Sequence, residues 1–489
     1  MEAGVLREEL ETGQERALTA WLEAVRIDET GEPLWPGWRV RQSAVGFYAP
    51  SGECVLVGHR NPPGGAHPVF LRDGRVVGPV GYTVQVPARV GGGAAVLPYR
   101  NQRTVFLPVE WSGEGNRELE AFVFLIIHQA FHAWAGRLGI AANPVQLLGG
   151  APYPVDEPAN NALGNLEGLL LADAVQGAEG MPLERWARAF ALVRRERRAW
   201  LEDELVAYEQ AMELREGPAG YVEWKAMERV LQGYEPAEAF RQMTGQDSFQ
   251  HVAEARLERL AELRRINYLG RGALRRRFTY SGLGLALILD RLAPGWPRRL
   301  LRGGPSLDDL LEEHVAFDGG EGDEALLREV EMRYDYDHRL LAEHEAADLR
   351  RRRKEELVDR VLRAPGTLLI LDVSRLRLLS ATPPAEGERI HDGLTLYARR
   401  ASFRFDGARV EVEGRPVVHD LRAGLLEIHL DGRVRLFADE EELPPRQAAH
   451  FREGLALRMA GLEVEALGGT VQPTAEALYI RLLPPPEVA

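Results

Sequence analysis

The sequence predicts an α+β protein: a mainly helical middle, a strand-rich region before it and a β-rich domain after it. Three observations carry that expectation. Between about Trp35 and Pro108, short apolar runs alternate with Gly- and Pro-rich turns, the pattern of short strands. From about Arg117 to Arg363, apolar positions recur at helical spacing. After Ala364-Pro365-Gly366, short β-type runs return at nearly even intervals. The expected domains are therefore residues 1–112, 113–364 and 365–489, since 489 residues exceed one ordinary core.

In chain order, Leu6, Leu10, Leu18, Leu22 and Val25 place an amphipathic helix over 4–27. Strands are expected at 46–49, 54–57, 69–71, 82–86, 94–97 and 104–107. The apolar stretch AFVFLIIHQAFHAWAGRLG, residues 121–139, reads as a helix. Residues 160–176 form another, carrying Glu167 and Asp173. Pro182 opens a single long helix that runs to about residue 217. Its alternating charges read as solvated salt bridges. Further helices are expected at 247–266, at 278–292 (buried) and at 322–363. The last has acids early and arginines at 350–353 late, as the helix dipole favours. In the final domain TLLILDV, GLTLYA, SFRFDG, RVEVEG, PVVHD, LLEIHL and RVRLFA read as strands. One helix at 444–459 and a terminal strand at 478–482 follow.

Composition narrows the function. A net charge of −14 argues against a general nucleic-acid partner. The single cysteine, Cys54, excludes an internal disulfide and a Cys-based zinc knuckle. It reads as a small buried residue in a strand. The charged start MEAGVLREELETGQERAL carries no signal-type apolar run, and runs such as 121–127 are too short to span a bilayer. A cytoplasmic protein without a membrane partner is the expectation.

The chemistry centres on His128-Gln129-Ala130-Phe131-His132. Two histidines four apart on a helix lie on one face, where two imidazoles can share one metal ion, as in the H-E-x-x-H zinc helix. In that motif the Glu is the general base. Here Gln129 holds the position, and an amide cannot take the proton. A zinc site of this kind needs a third protein ligand, for which Glu167, Glu213 and Glu216 are the candidates. His59 and His67 lie in a loop without a partner at defined spacing. His391, His419, His429 and His450 read as ordinary packed or surface residues.

Three segments resemble a known family. HQAFHAWAG resembles the HELAHQWFG pattern. Glu216 stands in REGPAGYVE, which is similar to the NEGFA-type segment. RFTYSGLGLALILDRLAPGW resembles a Tyr-containing helix that comes later in the same proteins. Over roughly residues 118–297 the chain thus resembles the gluzincin clan of zinc metallopeptidases, the peptidase MA-like group. The resemblance implies zinc held by His128, His132 and Glu216, with Tyr280 steadying an oxyanion and a peptide or protein as substrate or ligand. Two departures stand out: Gln129, and the 84 positions between His132 and Glu216, which leave Glu167 as an alternative ligand. Glu157, Glu167 and Glu213 are the candidate substitutes for the missing base. Three readings follow: a zinc peptidase with impaired or absent catalysis, a non-catalytic zinc- or peptide-binding pseudo-peptidase, and a metal-free scaffold.

Overall fold

The computed structural model describes residues 12–61, 67–69, 81–85, 93–136, 153–266, 271–301, 304–382, 387–391, 393–432, 434–444, 447–474 and 477–484. It forms two compact units, Met1–Glu343 and His344–Ala489. The α+β class holds, with helices and three sheets among the described residues. No described helix is long and apolar enough to cross a membrane.

The first unit opens with α1 (Thr12–Glu29); the residues before it, including Leu6 and Leu10 of the expected helix, lie outside the described part. Six short strands follow: β1 (Ala44–Tyr48), β2 (Glu53–Val57), β3 (His67–Val69), β4 (Gly81–Gln85), β5 (Ala95–Tyr99) and β6 (Gln102–Pro108). They make one sheet in the order β3-β4-β2-β1-β6-β5. Its one parallel pair is β1 with β6, in register Val45 to Val105.

The helices then run α2 (Asn116–Ala135), α3 (Pro158–Gln176), α4 (Leu183–Arg198), α5 (Asp203–Leu231), α6 (Glu238–Thr244), α7 (Val252–Leu263), α8 (Arg271–Leu292), α9 (Trp296–Leu300), α10 (Leu307–Glu312), α11 (Glu321–Arg333) and α12 (Tyr336–Leu362). One buried apolar cluster joins Leu18 of α1, Val45 and Val105 of the sheet, Ile127 of α2 and Leu285 of α8. The expected boundary at residue 112 is therefore not a boundary between compact units. The other falls inside α12, after Glu343, rather than at 364.

Two long helices expected from the sequence are each two. The stretch opened by Pro182 turns back at residues 199–202, so that Arg194 and Arg197 of α4 meet Glu213 and Glu209 of α5. That reversed pairing makes α4 and α5 an antiparallel hairpin. The stretch 322–363 breaks at Asp335, whose backbone is left-handed with φ 54°, a conformation a helix interior excludes.

α2 is apolar on nearly every face, with Phe122, Val123, Phe124, Ile126, Ile127, Ala130, Phe131 and Ala133 buried. Such a helix has to be enclosed. Phe131 meets Trp35 and Trp38 with ring centroids 5.0 and 5.1 Å apart. Trp35 in turn meets Tyr221 of α5 and Trp296 of α9 at 6.0 and 5.3 Å. Edge-on aromatic packing of this kind braces α2 against α5. α5 and α8 approach until their backbones touch. A Cβ on Gly217 would lie 2.6 Å from the Gly282 carbonyl oxygen, and one on Gly282 would lie 2.8 Å from that of Glu213.

The second unit is built from an eight-stranded and a seven-stranded sheet. Leu369, Ile428 and Ile480 of the first share one core with Phe403, Val410 and Val464 of the second, the arrangement of a β-sandwich. The helix expected at 444–459 is absent. Strands Ala449–Phe451 and Leu455–Met459 occupy that stretch. Leu455 and Leu457 are buried while Arg458 is exposed, a period of two rather than 3.6. Asp439 accepts the N–H groups of Arg452, Glu453 and Gly454 and so fixes the turn between them.

Replacing Gly282 with Ala is expected to destabilise the first unit by about 1–3 kcal/mol through overpacking against α5. A lower denaturant midpoint checks this; an unchanged midpoint contradicts the backbone contact.

Candidate metal centre

His128 and His132 stand one turn apart on α2, and both imidazoles are buried. Their Nε2 atoms lie 3.0 Å apart. Glu216 Oε2, on α5, lies 3.3 Å from His132 Nε2 and 3.7 Å from His128 Nε2. Zinc–ligand bonds of about 2.0–2.1 Å at tetrahedral angles hold ligand atoms about 3.3 Å apart. The three separations fit that requirement. Among the described residues this is the one group of three or more His, Cys, Asp or Glu side chains placed to hold a metal ion.

The surrounding side chains hold these three in position. Glu223 Oε2 lies 3.1 Å from His128 Nδ1 and accepts its proton in a hydrogen bond. Arg259 of α7 holds the other oxygen of Glu223. A carboxylate behind a ligand imidazole fixes its tautomer and ring orientation. Glu216 Oε1 accepts from Arg275 at 3.1 Å and stands 3.4 Å from Arg215 Nε, which leaves Oε2 to the histidines. Glu223 is not among the site residues expected from the sequence. The available signal was its spacing: seven residues beyond Glu216 is two helical turns, on the same face.

That face of α5 carries an acidic stripe of Glu209, Glu213, Glu216 and Glu223. The first two go elsewhere. Arg194 donates to both oxygens of Glu213 at 2.7 and 2.9 Å, and to Glu167 Oε2 at 2.9 and 3.1 Å. Arg197 donates to both oxygens of Glu209 at 2.6 and 2.8 Å, and also binds Glu167. Arg198 bridges Glu209 and Asp308. Arg277, buried, adds a fourth positive charge felt by Glu167 and Glu209. Four carboxylates thus face four guanidiniums inside the protein. Of the charges on this stretch expected to be solvated, Glu184, Arg185, Arg195, Glu196, Glu202, Asp203 and Glu204 are exposed, while Arg194, Arg197, Glu209, Glu213 and Glu216 are buried because the turn at 199–202 brings α4 arginines to α5 acids.

This network decides where the other candidates stand. Glu167, the alternative ligand, is 1% exposed and belongs to the arginines. Glu213 is held by Arg194 and Ser281. Glu157 is exposed at the start of α3. None of the three candidate substitute bases joins the histidine group. Gln129 follows His128 on α2 and is half-buried. Tyr280 is half-buried on α8 beside Arg276, with Arg259 and Glu262 in its electrostatic surroundings. Its described partners do not include the His–His–Glu group. Both ring nitrogens of His59 are engaged, by Tyr99 and Asn61. The His67 side chain lies outside the described residues. Cys54 is buried in β2.

The electrostatics of the group are strongly coupled. Burial alone would lower His128, but contacts with Glu216 and Glu223 outweigh it and push the imidazole up to about 9. Burial lowers His132 to about 4, with the charge on His128 adding to the effect. Burial would raise Glu216, but the close approach of both imidazoles holds it well below the usual carboxylate range. Burial would likewise raise Tyr280 and does so, keeping the hydroxyl protonated as a donor.

The arginine network sets an acid limit on stability. Glu167 and Glu209 are pulled below their ordinary values by Arg194, Arg197 and Arg198, against burial. Depressed carboxylates contribute stability above their ordinary values near pH 4.5, and it is lost as pH falls through the lower folded values. Arg197→Met leaves two buried carboxylates, Glu167 and Glu209, each with one guanidinium instead of two, and is expected to cost ~3–5 kcal/mol at pH 7. The deficit should shrink toward pH 4, where the stranded acids protonate. Urea unfolding at the two pH values checks both; equal stability at pH 7 contradicts the network. No family model, curated protein or solved structure matches the chain.

Proposed function

We propose that His128, His132 and Glu216 hold a zinc ion, and that the chain is a zinc metallopeptidase-like protein of gluzincin type whose hydrolysis is impaired or absent. The observation that supports this is the convergence of two Nε2 atoms and one carboxylate oxygen at 3.0–3.7 Å, backed by Glu223 behind His128. A two-nitrogen, one-oxygen donor set suits zinc and keeps further positions open. Zinc in such a site lowers the pKa of bound water and polarises a carbonyl. The protein's own groups do the rest. Glu223 fixes His128 with Nε2 toward the site. Arg275 and Arg215 occupy the second oxygen of Glu216, so that it offers one oxygen inward. Gln129 can donate or accept a hydrogen bond there but cannot carry a proton from water to a leaving amine. Tyr280, five residues beyond Arg275 on α8, is the proposed oxyanion donor. A cytoplasmic location and a peptide or protein ligand belong to the same proposal.

One observation favours a second reading, a metal-free scaffold. His128 lies between Glu216 and Glu223 with each nitrogen facing a carboxylate, so the cluster is satisfied as an ion pair. Metal analysis of the purified chain separates the two. The zinc reading expects about one equivalent of zinc, lost in Glu216→Ala and kept in Glu167→Gln; zinc absent from the native chain sinks it. Glu223→Gln is expected to weaken zinc binding about 10–100-fold, read by competition with a chelator. Loss of a general base typically costs about 10²–10⁴-fold in rate, so Gln129→Glu should raise peptide cleavage by that order. A zinc-loaded Gln129→Glu protein with no gain would favour the non-catalytic pseudo-peptidase.

A further inference from the structure

We propose that this centre takes a ligand bearing a carboxylate, bound by arginines whose charge the site's own acids do not balance; the inference rests on the metal reading above. Three guanidiniums touch the acids of the group. Arg215 and Arg275 meet Glu216 Oε1 at 3.4 and 3.1 Å. Arg259 meets Glu223. Against these three stand two carboxylates, Glu216 and Glu223. Among these described residues one positive charge is in excess before any metal binds. With both imidazoles serving as neutral ligands, a divalent ion raises the excess to three.

The signs are also sorted by depth. Glu216 and Glu223 are buried, and their oxygens are committed to the histidines and to arginine. The side chain of Arg275 is 59% exposed, and that of Arg215 is 37% exposed. The acids therefore lie inside while the positive charge faces solvent. A chain of net charge −14 does not produce this by composition. A local positive field of this kind concentrates anions. Arg275 meets Glu216 through one terminal nitrogen. The planar fork of five N–H donors matches a carboxylate in two-point contact. On a peptide-binding scaffold the anion is a carboxylate, from either a chain terminus or an Asp or Glu side chain.

Calorimetric titration of the zinc-loaded full chain tests this with three probes: acetyl-Ala-Ala-Ala, its C-terminal amide, and acetyl-Ala-Glu-Ala-amide. At least one carboxylate probe should bind roughly tenfold or more tighter than the neutral amide, the scale of a charge-assisted hydrogen bond; which of the two does so identifies the source. Arg275→Gln should erase the preference and Arg275→Lys should retain part of it. Equal binding of acid and amide overturns the proposal. So does no binding of any probe, an unchanged preference in Arg275→Gln that still holds zinc, or inorganic phosphate outcompeting both acids. Zinc content is measured separately on each protein. If the chain takes up no zinc, the metal reading falls, and the same titrations on metal-free protein still decide the anion site. A retained acid preference supports it, and its loss overturns it.

Discussion

The contact on which the first unit depends is the buried pairing of the α4 arginines with acids from α3, α5 and α10. Arg194, Arg197 and Arg198 reach Glu167, Glu209, Glu213 and Asp308 with almost no exposure to solvent. Each charge there is costly to bury alone and tolerable only with its partners in place. The network therefore admits one register of α4 on α5, and that register fixes which end of the α5 acidic stripe reaches α2. Glu209 and Glu213 are taken by arginine. Glu216, one turn further on, passes beyond the network and reaches the histidines.

Helix packing completes what charge begins. Gly217 follows Glu216 and meets Gly282 backbone to backbone, which brings α8 and its Arg275 against Glu216. On α2, Phe131 sits in the aromatic cluster of Trp35, Trp38, Tyr221 and Trp296, next to His132 in sequence. The helices that carry the histidines and Glu216 are thus held by apolar contacts on one side and by ions on the other. A group of this kind has little freedom to rearrange, which is what holding two imidazole nitrogens and a carboxylate oxygen within a few ångströms requires.

Part of the site was legible in the chain. The four-residue spacing of His128 and His132 on an apolar helix is a local property, and α2 forms where periodicity places it. Glu216 came from resemblance of a short segment, with Glu167 as its rival. No one-dimensional pattern separates those two acids, since both lie on helices among apolar residues. Glu223 was readable in principle from its seven-residue offset, but that offset acquires meaning only once Glu216 is known to face α2. Among the strands, 455–459 is not legible in the sequence because its alternation is short and its turn depends on Asp439, whose partners lie 13 to 15 residues further along the chain.

By itself the sequence determined the α+β class, most of the helices and strands, the histidine pair and the glutamine between them. Those follow from periodicity, turn chemistry and side-chain type, all of which act within a few residues. Only the tertiary structure decided that the strand-rich start and the helical block share one core, that Arg194, Arg197, Glu209 and Glu213 are buried among the charges of α4 and α5, and that Glu216 rather than Glu167 meets the histidines. Those outcomes turn on which of several like charges finds a partner from a distant part of the chain. Burial makes that choice nearly all-or-none, and nothing local to any one of the residues records it.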